Sequence, residues 1–322
     1  MLDSPIKMSR APLIADIRSN ALDDGPGIRS TVFFKGCPLR CVWCQNPETL
    51  SVLAELQREA GRCVGCQQCA CCPQGAVSFV DGARSFTPER PAGARGTGAR
   101  QYDGNACSAC GECVDACPSG ALRIVGTSHP VERLVELLLA DEPFYRSSGG
   151  GVTFSGGEPT MHLDYLVELS RQLKQREVHL LLETCGHYAT EHFEQQQLSL
   201  LDMIYFDLKL ADPDQHRAHT SLDNRRILSN LERLARLAPQ RVLVRVPLVP
   251  GITDGPDNLV ALARIIRGVG LGRVALLPYN PLWIAKRQEL GLPLPYQHGS
   301  WMPEETVLHC QEVVEREGLE SL

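Results

Sequence analysis

Fourteen cysteines are unevenly placed along 322 residues, and their spacing limits what this chain can become. Eleven fall into spaced runs, with Cys71, Cys185 and Cys310 outside them. The first run, Cys37-Pro-Leu-Arg-Cys41-Val-Trp-Cys44, follows the apolar stretch STVFFK at residues 30–35. Three thiolates fill three corners of a [4Fe–4S] cube and leave the fourth iron without a protein ligand. Such an iron can bind a substrate as well as carry an electron. A structural zinc site is the competing reading, and it needs a fourth Cys or His ligand. No histidine precedes His129, so a local Cys₃His set is unavailable, and a fourth cysteine would have to come from the next segment.

In that segment, Cys107-x₂-Cys110-x₂-Cys113-x₃-Cys117-Pro118 matches the two-cluster ferredoxin run. Cys63-x₂-Cys66-x₂-Cys69 begins a second copy, closed by Cys72-Pro73 after two residues instead of three. In such folds the fourth cysteine of each run ligates the other cluster. This assigns Cys63, Cys66, Cys69 and Cys117 to one cluster and Cys107, Cys110, Cys113 and Cys72 to the other. Cys71 is the rival to Cys72. Residues 61–125 are rich in Cys, Gly and Pro with few long apolar runs, so metal must supply much of their folding energy. We read them as a ferredoxin-like domain inserted into a larger one made of residues 1–60 and 126–322. The Gly/Ala/Arg-rich residues 91–100 read as a loop.

In the larger domain apolar strands alternate with amphipathic helices. Strands are expected at residues 30–35, 151–155, 179–183, 203–207, 241–246 and 273–277, and helices near 163–173, 230–237 and 259–266. Ser128 is expected to cap a further helix with Pro130 in its first turn and Val131, Leu134, Val135, Leu138 and Leu139 on its apolar face. This alternation implies an α/β fold with a parallel sheet, either open and doubly wound or an incomplete barrel. In both, loops after the carboxyl ends of strands carry the chemistry. A net charge of -6 argues against nucleic acid as a partner. No run is long enough to span a bilayer, and the first ten residues lack a signal-peptide core. The expected address is the cytoplasm, where so many cysteines read as metal ligands rather than disulfides.

Three further features make a resemblance specific. Trp43 precedes the last cysteine of the first run, Asp24-Gly-Pro-Gly-Ile-Arg29 precedes the first expected strand, and Gly156-Gly157-Glu158-Pro159 follows the second. With the cysteine-rich insertion, these resemble the glycyl-radical-enzyme activating proteins of the radical S-adenosylmethionine superfamily, from Asp24 to about Pro295. The resemblance implies a partial (β/α)6 TIM-like barrel, three [4Fe–4S] clusters, S-adenosylmethionine and a monovalent cation. It places Trp43, Cys44, Gln45, Asn46, Gly156, Gly157, Glu158, Asp207, Leu208, Lys209 and Asn280 around the cofactor, with Glu183 beside the cation. Glycines at the GGEP turn suit the amino group of a methionine moiety, because backbone can approach it closely. Arg245, inside an apolar strand, needs an anionic partner if it faces inward, and the cofactor carboxylate is our candidate. Gln45 and Asn280 stand where several relatives have histidine. Asp24, Gly25 and Arg29 would lie at the mouth of the site and bind a peptide loop of the partner. Cys185 reads as a packed residue.

The resemblance also implies a reaction. A reduced cluster on Cys37, Cys41 and Cys44 would bind S-adenosylmethionine through its amino and carboxylate groups. An electron entering the sulfonium would release a 5′-deoxyadenosyl radical, which would remove hydrogen from a glycine α-carbon of a partner glycyl radical enzyme. A flavodoxin or ferredoxin would deliver electrons through the inserted module. The competing readings are a radical S-adenosylmethionine enzyme acting on a small molecule and a ferredoxin-like electron carrier.

Overall fold

The computed structural model describes residues 11–74, 76–80, 83–86 and 107–322. The chain enters through β1 (Leu13–Ala21) and β2 (Arg29–Phe34). A short β3 (Glu55–Arg58) leads into the cysteine-rich segment, which contains β4 (Val77–Val80) and β5 (Ala83–Phe86) and leaves through β6 (Leu122–Val125) and β7 (Thr127–Ser128). Strands then alternate with helices: β8 (Gly151–Gly156), β9 (His179–Thr184), β10 (Met203–Asp207), β11 (Val242–Leu248), β12 (Arg273–Pro278) and β13 (Glu320–Ser321). All six expected strands are present within one or two residues.

Nine strands form one mostly parallel sheet in the order β13-β12-β11-β10-β9-β8-β2-β1-β7. From β2 through β8 to β13 every neighbour is parallel and the order never reverses. A doubly wound sheet reverses at a switch point, so that alternative does not describe this order. β1 and β7 close one edge antiparallel. At the other edge β13 pairs with β12, through Arg273 opposite Glu320.

The register explains which face is core. Val32, Phe154, Leu182, Ile204 and Val242 form one continuous row across the sheet, and Phe206, Val244 and Val274 form another. All are buried. Helices Leu163–Lys174, Arg225–Leu237, Pro256–Gly268 and Glu304–Arg316 supply the opposing layer through residues such as Leu166, Leu231, Leu262 and Val314. The other face carries Thr31, Thr153, Ser155, Glu183, Tyr205, Asp207 and Arg245, since side chains alternate along a strand. The sheet is therefore apolar towards its helices and polar towards its hollow side.

One expected detail is corrected. Helix Val131–Leu139 buries Leu134 and Leu138 as anticipated, but Ser128 does not cap it. Ser128 belongs to β7, its hydroxyl donates to the Ala11 carbonyl at 3.4 Å, and Pro130 takes the capping position.

In the cysteine-rich segment β3 and β6 pair antiparallel, with Glu55 opposite Val125 and Arg58 opposite Leu122, so the chain enters and leaves side by side. The small core between them consists of Leu56, Cys69, Cys113 and Leu122, with Cys72, Cys107, Cys117 and Ile124 at its margin. Half of its buried members, Cys69 and Cys113, are cysteines. Residues 91–100 lie outside the described residues.

Arg29 is placed elsewhere than the resemblance suggests. Its side chain is completely buried on the hollow face, where Nε donates to Thr153 Oγ1 (2.7 Å), Nη2 to the Val152 carbonyl (2.8 Å) and Nη1 to the Pro26 carbonyl (3.1 Å). Burial lowers its pKa to about 10, so it stays charged at neutral pH. Rather than facing a mouth, it ties the Asp24–Gly27 turn to β8. Replacing Arg29 with Met should lower stability by about 2–4 kcal/mol, because several buried acceptors lose their donor together. The shift of the urea unfolding midpoint measures this, and an unchanged midpoint would contradict the bracing role.

Candidate active site

The three-cysteine loop is held from both sides by backbone. Gly36 and Cys37 donate to the carbonyls of Thr49 (2.7 Å) and Leu50 (3.3 Å), while Arg40 and Val42 donate to those of Thr220 (2.7 Å) and His219 (3.0 Å). Trp43 and Leu39 are buried and anchor the loop in the main core. Beyond Cys44, the Lys286 ammonium fixes the chain by donating to the Gln45 carbonyl (2.9 Å), Asn46 Oδ1 (3.0 Å) and Glu48 Oε1 (3.0 Å). Gln45 Nε2 in turn donates to the Asn280 carbonyl at 3.2 Å. Thus positioned, Cys37, Cys41 and Cys44 line one wall of a cavity of about 290 Å³.

Strand ends form the opposite wall. Gly157 donates to the Phe34 carbonyl (2.9 Å) and Glu158 to that of Gly36 (2.7 Å), so the GGEP turn lies flat on the end of β2. A Cβ on Gly157 would stand 2.1 Å from the Gly36 carbonyl oxygen. Gly156 has φ +108° and equally little room, 2.5 Å from the Phe34 nitrogen. Both glycines are required because two backbones touch here.

Glu158 behaves differently from its neighbours. It is fully buried and does not line the cavity. Its carboxylate accepts from Thr160 Oγ1 (2.6 Å), Thr184 Oγ1 (2.9 Å) and the Cys185 amide (2.7 Å), fastening the end of β9 to the GGEP turn.

Four charged side chains meet on the cavity floor. Arg245 Nη1 donates to Glu183 Oε1 (2.5 Å) and Nε to Asp207 Oδ1 (2.9 Å); Lys209 Nζ lies 3.5 Å from Asp207 Oδ2. Ser155 Oγ donates to Glu183 Oε2 at 2.5 Å. Burial works against each charge, but mutual attraction decides the outcome for three of them. Arg245 is held protonated by Asp207 and Glu183, Lys209 mainly by Asp207, and Asp207 is kept below the usual carboxylate range by Arg245 and Lys209. Glu183 goes the other way. Its burial outweighs Arg245, and Asp24 adds repulsion, so its pKa rises.

Most of the anticipated residues meet here. Trp43, Gln45, Asn46, Gly156, Gly157, Glu183, Asp207, Lys209, Arg245 and Asn280 all line the cavity with the three cysteines. Leu208 does not; it is buried behind the wall, and its amide donates to the Arg245 carbonyl at 2.9 Å. Asp24, Gly25 and Arg29 also lie outside the lining. Asp24 Oδ2 accepts from Thr31 Oγ1 at 2.6 Å, on the hollow face below the floor. Sequence reasoning missed Ser155, Thr184, Cys185, Val249 and Tyr279, all of which line the cavity. Ser155 and Thr184 were legible as neighbours of expected residues at the strand ends, whereas nothing local marks Val249.

In the cysteine-rich segment Cys72 lies within electrostatic reach of Cys107 and Cys113, which also feel Cys110. Burial pushes the Cys113 thiol up to about 11, with Cys107, Cys72 and Cys110 adding to it. The Cys71 thiol turns instead towards the Glu112 carbonyl at 3.6 Å.

Comparison with known proteins then decides the family. The Radical SAM superfamily model matches residues 105–263, and a 4Fe-4S dicluster domain model matches residues 62–122. The chain is 33% identical to the indoleacetate decarboxylase activating enzyme of Tractidigestivibacter scatoligenes, across 96% of each chain. It is 35% identical to the isethionate sulfite-lyase activating enzyme of Oleidesulfovibrio alaskensis, covering 84% of each. The benzylsuccinate synthase activating enzyme of Thauera aromatica is 33% identical, over 96% of this chain and 92% of that one. The chain belongs to the glycyl-radical-enzyme activating enzymes.

An activating enzyme of this superfamily needs room for a [4Fe–4S] cluster beside S-adenosylmethionine, and the donor set fits both. Three thiols border one wall, and among the described residues no three His, Cys, Asp or Glu side chains converge on a single-ion position. The floor offers cations and carboxylates to a ligand carrying carboxylate, ammonium and sulfonium groups, while Leu248, Val249 and Tyr279 supply an apolar side. A Gly157→Ala enzyme should bind S-adenosylmethionine at least about ten-fold more weakly, since β2 and β8 must part to admit the methyl group. Calorimetric titration against the wild type checks this, and an equal affinity would refute the close-approach argument.

Proposed function

We propose that this chain generates a glycyl radical on a partner enzyme by reductive cleavage of S-adenosylmethionine. The observation that carries the proposal is the convergence of three thiols and the Arg245–Glu183–Asp207–Lys209 group on one cavity. Cys37, Cys41 and Cys44 hold the cluster. When bound there, it supplies the electron that turns S-adenosylmethionine into a hydrogen-abstracting radical source.

The chain's own residues bind and orient. Lys209 and Arg245 would attract the cofactor carboxylate, the GGEP backbone would receive its ammonium group, and Val249 with Tyr279 would offer its flat ring an apolar side. Glu183 is the candidate ligand for a monovalent cation, which would stabilise its ionised form. Asn280 and Gln45 close the rim with hydrogen-bonding groups that carry no titratable charge near neutrality. Asp24 and Gly25 lie on the hollow face, through which a glycine-bearing loop would reach the cavity; Arg29 shapes their turn from behind.

The unreversed strand order supports a partial (β/α)6 barrel whose open interior admits that loop. Residues 61–125 form an inserted ferredoxin-like module within the unit made of residues 1–60 and 126–322, and their eight motif cysteines hold two further clusters, three in all. Flavodoxin or ferredoxin is the electron donor we assign, and the cytoplasm is the compartment. Among the described residues no helix is long and apolar enough to cross a membrane.

Names of relatives include decarboxylase, sulfite-lyase, dehydratase and synthase activating enzymes, so the partner is best found with a panel of such enzymes. Anaerobic incubation with the cognate member, S-adenosylmethionine and a strong reductant should produce a protein-based radical by electron paramagnetic resonance. Cys37→Ala should abolish it. Formation of 5′-deoxyadenosine with no protein radical across the panel would instead indicate a small-molecule substrate. Paired Cys110→Ala and Cys113→Ala substitutions should leave activation by dithionite intact while reducing activation by flavodoxin at least about ten-fold, as expected of a broken relay. Equal loss with both reductants would assign the module a structural role.

A further inference from the structure

The cysteine-rich segment joins the larger domain through β3 and β6, and the two faces of β3 do different things. Leu56 shares the small core with Cys69, Cys113 and Leu122. Glu55 and Gln57 point the other way, because side chains alternate along a strand, and both reach the larger domain. Glu55 Oε2 accepts from Lys35 Nζ at 3.0 Å, and Gln57 Nε2 donates to Glu289 Oε2 at 2.6 Å, on helix Trp283–Glu289. On β6, Val125 stands opposite Glu55 and is buried with Ala15 and Phe33 of the main sheet.

Lys35 is the centre of this junction. Its side chain is completely buried, a costly place for an ammonium group unless it is paired and hydrogen-bonded. Besides Glu55, its Nζ donates to the Glu48 carbonyl at 2.5 Å. Its amide donates to the Leu13 carbonyl at 2.9 Å, and its own carbonyl meets His162 Nε2 at 2.7 Å. Gly126 has φ +114° and passes so close that a Cβ there would stand 2.7 Å from Lys35 Cδ. Lys35 therefore touches the chain on its way into the module, at Glu55, and on its way out, at Gly126. It also precedes Gly36 and Cys37 directly, and through Glu48 it holds the far side of the three-cysteine loop. The route from Cys37 to the module is short: Gly36, the Lys35–Glu55 ion pair, then Leu56 in the core that holds Cys69.

We propose that the Lys35–Glu55 pair is a clamp that fixes the cysteine-rich module against the three-cysteine loop, making both residues positioning residues for electron delivery. An apolar pair of similar volume would bury the junction as well or better, whereas a hydrogen-bonded ion pair also fixes direction. The bearing on electron delivery rests on the relay reading given above; the clamp itself does not. Electron transfer weakens steeply with distance. A module free to rock on its two-stranded stem would deliver electrons slowly even with every thiol in place. A small reductant that reaches the three-cysteine loop directly would not depend on the clamp.

The test uses the full chain, reconstituted anaerobically, as wild type, Glu55→Gln and the double variant Lys35→Met/Glu55→Gln. The double variant removes both charges together, so neither is left behind in the interior. Cleavage of S-adenosylmethionine is followed with dithionite and with reduced flavodoxin, beside iron content and amide hydrogen exchange of residues 55–58 and 122–125. Both variants should keep their iron and their dithionite-driven rate, while the flavodoxin-driven rate falls at least about five-fold. Exchange in the paired stem should quicken by about ten-fold. Unchanged exchange in both variants would overturn the clamp. Faster exchange with an undiminished flavodoxin-driven rate would overturn the positioning role. Lost iron, or equal loss with both reductants, would overturn it too, by making the pair a support of the three-cysteine loop alone. Should the Cys110→Ala and Cys113→Ala enzyme show no difference between reductants, the relay reading falls by itself. The exchange measurement then decides the clamp, faster exchange supporting it and unchanged exchange refuting it.

Discussion

The site depends on a contact between two stretches of backbone. Gly156 and Gly157 lie against Phe34 and Gly36 so closely that no Cβ fits between them, and hydrogen bonds from Gly157 and Glu158 lock the pair. This contact sets the distance between the cysteine loop, which begins one residue beyond Gly36, and the strand ends that carry the charged floor. Loosening it would separate the sulfur wall from the charged wall even if each kept its own geometry. Binding sites that must hold two groups in fixed relation are sensitive to such shifts. The rigid element here is backbone, so side-chain adjustment cannot compensate.

Much of this was legible in the chain, for identifiable reasons. Six of the seven parallel strands were readable because their helix-facing rows are unbroken runs of Val, Leu, Ile and Phe. β1 was not, because Asp16, Arg18 and Asn20 break its apolar pattern and its pairing with β2 is irregular at two places. Two-residue β13 offers no pattern at all. Residues of the charged floor were readable because a charge inside an apolar strand needs a reason. Which of them pair was not, since the Arg245 bridge joins three strands whose adjacency only the sheet order reveals. Arg29 and Glu158 show the limit most clearly. Both belong to recognisable motifs, yet their side chains turn inward as braces, and the direction a side chain takes is fixed by packing rather than by spacing.

The two faces of the sheet divide the labour between stability and chemistry. Apolar burial is concentrated on the helix side, where rows such as Val32, Phe154, Leu182 and Ile204 exclude water completely. At roughly 25 cal/mol per Å² of buried apolar surface, this face supplies the main folding drive. The hollow face contributes differently, through paired charges and hydroxyls whose desolvation largely offsets their attraction. Substitutions there should cost little stability as long as no charge is left unpaired. Changing Arg245 alone would leave Glu183 without its cationic partner and Asp207 with Lys209 only; changing hydroxyls such as Thr31 would unpair no charge of that group. A scaffold arranged in this way can alter what its interior admits while its helix-side core stays intact. That freedom suits a family whose members, judged by their names, serve many different partner enzymes.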